Sequence, residues 1–192
     1  MDRRHFFKSG LNNATKTAVQ QADKAAQQRV NWIRPPFALA ELDFLLACTR
    51  CHACIDACPH QVIFPLSAKL GLQTVNTPAL DLTHQACLLC NDWPCVSACE
   101  PAALSPPPAA KKDDDEVPDT CPPLASAHID TDHCIAYLGM ECGACNDSCP
   151  VEGALFWVKT RPFIDLNLCV GCGQCRQACI YDPKAIKLAC LR

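Results

Sequence analysis

The residues of this chain best suited to chemistry are its cysteines, which number 18 in 192 residues. Sixteen of them fall into four groups of four with short internal spacing. The groups are Cys48-x2-Cys51-x2-Cys54-x3-Cys58, Cys87-x2-Cys90-x4-Cys95-x3-Cys99, Cys134-x7-Cys142-x2-Cys145-x3-Cys149 and Cys169-x2-Cys172-x2-Cys175-x3-Cys179. Thiolates are nucleophiles and soft metal ligands, so this repetition indicates metal, disulfide or thiol chemistry.

Three chemistries compete for these groups. Disulfides need an oxidising compartment, and cysteines so close in sequence would have to find distant partners. Zinc takes four ligands in paired C-x2-C turns, which leaves the third cysteine of C-x2-C-x2-C without a use. In C-x2-C-x2-C-x3-C-P, three thiolates hold one [4Fe–4S] cube and the fourth reaches a neighbouring cube. The spacing therefore favours four [4Fe–4S] clusters, with all sixteen grouped cysteines as iron ligands.

Short apolar segments flank the cysteine groups and would position them. Each group is followed by an extended segment, and three groups are also preceded by one. These segments are 62–64, 102–104, 154–158 and 185–188 after the groups, and 79–82, 127–130 and 163–166 before them. Each unit is thus predicted to run from strand to cysteine loop, short helix and strand. The predicted fold is α+β, with tandem or nested ferredoxin-like (βαββαβ) units built around four clusters.

Composition divides the chain into four parts. Residues 1–36 form a basic arm, and 37–104 hold the first and second cysteine groups. Residues 105–124 are a proline-rich acidic insertion, predicted to be an exposed loop, and 125–192 hold the third and fourth groups.

Charge and motifs exclude several functions. Residues 1–34 carry seven basic and two acidic side chains, so the remainder of a chain with net charge −3 is acidic. An acidic body gives no support to nucleic-acid binding, although the arm's charge suggests contact with an anionic membrane face or a partner. No run of apolar residues is long enough for a membrane span, and no G-x-G-x-x-G or P-loop is present. We therefore expect an electron carrier without catalytic residues, which leaves substrate chemistry to a redox partner.

A few residues near the groups have open roles. Trp93, in the x4 gap of the second group, either shields a cluster from water or simply packs. Cys121 and Cys190 lie outside the groups, and an ordinary thiol is the simplest interpretation of both; a non-standard ligand role is the alternative for Cys121. His52 and His133 adjoin cysteines, and are interpreted as exposed loop histidines rather than donors to sulfur.

Several stretches resemble the NapF-type ferredoxins that are encoded with periplasmic nitrate reductases. They are Arg34-Pro-Pro-Phe37, Phe44 to Cys58, Asp132 to Tyr137 and Glu141 to Cys149, and the resemblance covers about residues 34–192. It implies a cytoplasmic protein that serves the maturation of, or electron supply to, a molybdenum-containing catalytic subunit. A further hypothesis is that the chain is an assembly factor for another protein. Its clusters would then supply reducing equivalents while that protein's cofactor is inserted, or would themselves be donated in the process.

The x4 spacing of the second group departs from NapF. It is similar to the NapG/MauM type, which works at the outer face of the cytoplasmic membrane and passes electrons from a quinol-oxidising partner. It also occurs in four-cluster subunits of the dimethyl-sulfoxide-reductase family. That resemblance implies a nested pairing, first group with fourth and second with third. Sequential pairing stays open, because the gap from Cys149 to Cys169 also suits an adjacent pair.

The amino terminus bears on location. Arg3-Arg4-His5-Phe6-Phe7-Lys8 resembles a twin-arginine export motif. A working signal also needs an apolar stretch, and residues 9–29 are polar throughout. We therefore expect a cytoplasmic protein, with the periplasmic side of the inner membrane, reached by twin-arginine export, as the alternative.

Overall fold

The computed structural model describes residues 32–106 and 121–191. The predictions for residues 1–31, including the export motif, and for 107–120 of the insertion lie outside this described part. In chain order the elements are α1 (Glu41–Ala47), α2 (Ala53–Asp56), β1 (Ile63–Pro65), a 3-10 helix (Ala68–Leu70), β2 (Pro78–Leu80), α3 (Pro94–Ser97), β3 (Ala125–Ile129), β4 (Leu155–Val158), β5 (Arg161–Ile164), α4 (Gln174–Ala178) and β6 (Ile186–Cys190). Among these described residues, no helix is both long and apolar enough to cross a membrane.

Residues 32–106 place a short hairpin between two cysteine groups. Strands β1 and β2 pair antiparallel, with Ile63 opposite Leu80. The two ends of the segment meet, because Ala38 forms an antiparallel bridge with Leu104. The backbone N–H of Ser105 also donates to the Phe37 carbonyl at 2.8 Å. The first and second cysteine groups are therefore held on the two sides of one small hairpin.

Residues 121–191 follow the same order with longer strands. The outer strands β3 and β6 pair antiparallel over five residues, from Ala125 opposite Cys190 to Ile129 opposite Ile186. Between them β4 and β5 form an antiparallel hairpin that starts with Leu155 opposite Ile164. The third cysteine group lies before this hairpin, and the fourth lies after it.

Two local predictions differ from the structure. Residues 102–104 form only the single bridge at Leu104, because Ala102 has a positive φ of 55° that interrupts extended backbone. The third cysteine group forms turns and no helix: Leu138 donates back to Cys134, and Gly139, at φ 87°, ends that turn. The other predicted strands overlap observed ones.

A buried ion pair holds the start of the first segment. The Arg34 guanidinium donates to both carboxylate oxygens of Glu41, at 3.0 and 2.6 Å, and to Thr77 Oγ1 at 2.9 Å and the Pro78 carbonyl at 2.7 Å. It also lies 4.4 Å from the centre of the buried Phe44 ring. The side chains of Arg34 and Glu41 are only 10 % and 7 % exposed. These contacts tie α1 to strand β2.

We expect Glu41→Ala to lower the free energy of unfolding by about 3–5 kcal/mol, because it leaves a guanidinium buried without its counter-charge. Anaerobic urea denaturation followed by circular dichroism would measure this. Asp43→Ala is the matched control, since Asp43 is an exposed acid in the same first turn of α1. It should change stability by no more than about 0.5 kcal/mol. Equal losses in the two variants would contradict a structural role for the pair.

Candidate iron–sulfur sites

The sixteen grouped cysteines come together as four sets of four thiols. Each set takes three cysteines from one group and the last cysteine of its neighbour. We number the sets as set 1 (Cys48, Cys51, Cys54, Cys99), set 2 (Cys58, Cys87, Cys90, Cys95), set 3 (Cys134, Cys142, Cys145, Cys179) and set 4 (Cys149, Cys169, Cys172, Cys175). This exchange of the fourth cysteine is the arrangement expected of paired [4Fe–4S] sites.

The pairing of the groups is sequential. Cys58 lines the same cavity as Cys87, Cys90 and Cys95, so the first group is paired with the second. Cys179 lines the cavity of Cys134, Cys142 and Cys145, which pairs the third group with the fourth. The nested pairing suggested by the dimethyl-sulfoxide-reductase resemblance is therefore wrong for this chain. The physical reason is that each hairpin brings together the two groups that flank it.

The same backbone conformation positions the third and fourth cysteines of three groups. Helices α2, α3 and α4 each start after a residue in the left-handed conformation: His52 (φ 68°), Trp93 (φ 43°) and Gly173 (φ 86°). The second residue of each helix is a cysteine, and another cysteine follows four residues later. The left-handed residue costs about 1–2 kcal/mol where it is not glycine. It bends each loop around one set, while the helical turn directs the next cysteine to the neighbouring set.

Burial makes the anionic forms of these thiols costly. It raises their pKa values from the ordinary 9.0, to about 12 for Cys54, Cys95 and Cys175 and to about 11 for Cys87, Cys145 and Cys172. The other thiols of the same set raise the pKa values of Cys54 and Cys175 further. Four thiolates at one place, with at least one of them buried in each set, therefore require a soft cationic partner, which suits iron–sulfur ligation.

The thiols surround a space and do not converge on a point. The cavities lined by sets 1, 2 and 3 have equal volumes of about 20 Å³. Within residues 32–106 and 121–191, no three His, Cys, Asp or Glu side chains are grouped closely enough to hold a single metal ion. A lining of four thiols that do not converge on one point suits a polynuclear occupant better than a single ion.

Two tryptophans supply a second observation about the occupant. Trp93 lines the cavity of set 2 and Trp157 lines that of set 3. The indole N–H of each is buried without a hydrogen-bond partner, which is costly in a protein interior. The sulfides of an iron–sulfur cluster are acceptors for such donors. Trp93 also packs edge-on against Phe37, with ring centres 5.0 Å apart, which confirms the packing role considered from the sequence.

The histidines beside the cysteines have other partners. A ring nitrogen of His52 lies 3.3 Å from the Asn76 carbonyl, and His133 Nδ1 lies 2.8 Å from Asp130 Oδ2. The backbone N–H of Leu104, in contrast, donates to Cys99 Sγ at 3.4 Å. This backbone donor and the Trp157 indole were not anticipated from the sequence, which carries no local signal for either.

Cys121 is buried beside two sets. Burial strongly raises the pKa of its thiol, and the thiols of Cys87, Cys172 and Cys95 raise it further. Its Sγ donates to the Pro122 carbonyl at 3.2 Å. Sets 2 and 4 already have four thiols each, so a fifth at this place is in excess. Cys190 lies in β6, opposite Ala125.

We expect Cys121→Ala to keep the iron and acid-labile sulfide content of the unaltered chain, because Cys121 completes no set. Loss of the buried sulfur should reduce stability by about 1 kcal/mol. Anaerobic iron and sulfide analysis measures the first effect. Cys90→Ala, which removes a member of set 2, is the positive control for loss of iron. A fall in iron equal to that of the control would make Cys121 a ligand.

Comparison with known proteins places this geometry among iron–sulfur proteins. Residues 162–183 match the family described as 4Fe-4S binding domain. The chain is 32 % identical over 165 residues to the methylamine utilization ferredoxin-type protein MauM of Methylobacillus flagellatus, covering 81 % of this chain and 67 % of that protein. It is 30 % identical over 207 residues to the ferredoxin-type protein NapG of Haemophilus influenzae, covering 97 % of this chain and 71 % of that protein. It is 31 % identical over 153 residues to the ferredoxin-type protein NapF of Escherichia coli, covering 78 % of this chain and 80 % of that protein. No solved structure matches the chain.

The thiol sets and these matches define an iron–sulfur electron-transfer protein of the ferredoxin type, a carrier of electrons and not an enzyme. The chain belongs to the family of ferredoxin-type proteins that includes MauM and NapG. This confirms the [4Fe–4S] chemistry and the electron-transfer role predicted from the sequence. It does not single out the NapF type, since the MauM and NapG similarities extend at least as far along the chain.

Proposed function

We propose that this chain carries single electrons through four [4Fe–4S] clusters, one held by each of sets 1 to 4. The observation that supports this most directly is the exchange of the last cysteine between neighbouring groups, four times in one chain. We infer that residues 37–104 and 125–192 are tandem ferredoxin-like units, since each holds two complete sets on the two sides of one hairpin.

The protein's own residues bind the clusters and exclude water from them. For sets 1, 2 and 4, the chain before α2, α3 or α4 supplies two thiols and the helix itself supplies a third. Phe37, Trp93 and Leu104 pack into the core beside sets 1 and 2. When bound, a [4Fe–4S] cluster supplies reversible one-electron oxidation and reduction. The Leu104 N–H donated to Cys99 is a contact of the kind that adjusts the potential of such a site.

Anaerobic analysis of purified protein tests the number of clusters. We expect about 16 iron atoms and about 16 acid-labile sulfides per chain, from four cubes of four. Zinc without labile sulfide would overturn the proposal, and about eight of each would reduce it to two clusters.

The partner is proposed to be another redox protein, in the first place a molybdoenzyme catalytic subunit of the periplasmic-nitrate-reductase type. The similarity to NapG along 97 % of the chain supports a Nap-type setting. The MauM similarity, together with the x4 spacing of the second group, favours a second candidate, an exported subunit that passes electrons from a quinol-oxidising membrane partner.

Location separates these two candidates. We propose a cytoplasmic protein on the basis of the polar residues 9–29, which follow the twin-arginine-like motif. Fractionation of cells that produce a carboxyl-terminally tagged chain tests this. Full-length protein in the cytoplasm is the expected result, while a chain recovered in the periplasm favours the exported subunit.

A further inference from the structure

The two halves of the chain meet at cluster ligands. The backbone N–H of Cys87, a member of set 2, donates to the carbonyl of Cys172, a member of set 4, at 2.9 Å. The thiols of the same two residues are close enough for Cys172 to raise the pKa of Cys87. Sets 2 and 4 are therefore joined directly through the peptide groups of their own cysteines.

Side chains from α4 reinforce this contact. Gln174 Nε2 donates to the Cys87 carbonyl at 3.2 Å, and Gln177 Oε1 accepts from the Ala86 N–H at 2.9 Å. A Cβ added to Gly173 would lie 3.6 Å from Leu82 and 3.8 Å from Ala86, both ordinary contact distances, so Gly173 at the start of α4 faces the segment that leads into set 2. The contact involves several groups on each side, which is more than one chance hydrogen bond.

Cys121 occupies the space beside the contact. Its buried thiol is adjacent to Cys87 and Cys95 of set 2 and to Cys172 of set 4. Cys121 therefore fills this space with a buried, polarisable sulfur atom. Nearby, Leu124 donates to the Val170 carbonyl at 2.8 Å, which holds the loop of set 4 against the start of β3.

The other neighbours in the series follow from the helices. Sets 1 and 2 are linked through α2 and α3, which pack against each other. Sets 3 and 4 are linked through α4, where the Cys179 N–H donates to the Cys175 carbonyl at 3.2 Å. The contacts thus connect set 1 to set 2, set 2 to set 4, and set 4 to set 3.

We propose that the Cys87–Cys172 contact is the point at which electrons pass between the two units, so that the sets act in the order 1, 2, 4, 3. This rests on the proposed function, in which each set holds a cluster. In each step one cluster is oxidised by one electron and the next is reduced by it, with no bond formed or broken and no proton moved. A one-electron donor protein supplies electrons near one terminal set, and a one-electron acceptor protein removes them near the other.

Two full-length variants test the order by electron paramagnetic resonance of the chemically reduced protein. One lacks the ligands of sets 1 and 3, and the other lacks those of sets 2 and 4; each should keep about eight iron atoms. Two reduced clusters that lie close together split and broaden each other's signals. The outer-deleted chain carries Cys48→Ala, Cys51→Ala, Cys134→Ala and Cys142→Ala, and the inner-deleted chain carries Cys87→Ala, Cys90→Ala, Cys169→Ala and Cys172→Ala.

We expect a split, broadened spectrum from the outer-deleted chain and a simple sum of two independent signals from the inner-deleted chain. Independent signals from the outer-deleted chain, or strong splitting in the inner-deleted one, would overturn the order. If the unaltered protein holds about 16 iron atoms, such a result refutes only the order; if it holds none, the proposed function itself has failed.

If either variant does not retain the expected number of about eight iron atoms, the same two clusters can be removed by substituting the other two cysteines of each set. The expected spectra are unchanged, because the residual pair of clusters is the same in each case. The alternative substitutions are Cys54→Ala, Cys99→Ala, Cys145→Ala and Cys179→Ala for the outer sets, and Cys58→Ala, Cys95→Ala, Cys149→Ala and Cys175→Ala for the inner sets.

Discussion

Adding Cys58→Ala to a chain that already carries Cys87→Ala and Cys90→Ala is expected to cost no further iron. The first two substitutions remove the site at set 2 and leave about 12 iron atoms. Cys58 belongs to that same set, so its thiol has no remaining cluster to hold. Iron and acid-labile sulfide per chain, measured on anaerobically purified protein, provide the test.

Cys149→Ala in the same background is the matched control. Cys58 and Cys149 are each the last cysteine of a group and each precedes a proline. Cys149 belongs to set 4, so its removal should lower iron again, towards about eight atoms. Nested pairing would reverse the two results, because Cys149 would then complete the site of Cys87, Cys90 and Cys95. Iron loss on adding Cys58→Ala, with none on adding Cys149→Ala, would contradict the sequential pairing.

Gly171→Ala is expected to abolish cluster binding at set 4 and to lower iron from about 16 to about 12 atoms. Gly171 has a φ of 69°, and a Cβ there would lie 2.0 Å from the Ala125 carbonyl oxygen. The conformation alone costs an L residue about 1–2 kcal/mol. Relief of the clash must move the loop away from β3, which breaks the hydrogen bond between Leu124 and Val170. Cys172 follows directly, so its thiol moves too.

Gly143→Ala is the control for Gly171→Ala. Gly143 also lies between the two cysteines of a C-x2-C pair, but an added Cβ there would meet nothing within 4 Å. It should retain about 16 iron atoms and the spectrum of the unaltered protein. Iron analysis and visible absorption of both variants measure the difference. Full iron content in Gly171→Ala would show that the loop does not need its close approach to β3.

The cysteines that the structure brings together in sets 1 to 4 were predictable, because their short spacing already groups them along the chain. A C-x2-C-x2-C loop can place three thiols around one cube without help from the rest of the chain, and the x4 and x7 gaps only enlarge that loop. The segments predicted as strands were also close to the observed ones, since short apolar runs between cysteine groups leave few alternatives. Ala102 and Gly139 escaped prediction, because a positive φ at these positions ends a strand or a turn without a marked signal in the neighbouring residues.

The amino-acid sequence by itself determined that the chain has four cysteine groups with iron–sulfur spacing and that its role is electron transfer. Only the tertiary structure decided which group supplies the fourth thiol of each set. The set that Cys58 or Cys149 joins depends on the hairpin that folds between two groups. The tertiary structure also placed Cys87 against Cys172 and Cys121 beside both. These residues are far apart along the chain, so their proximity comes from packing between the two halves, which no local spacing encodes.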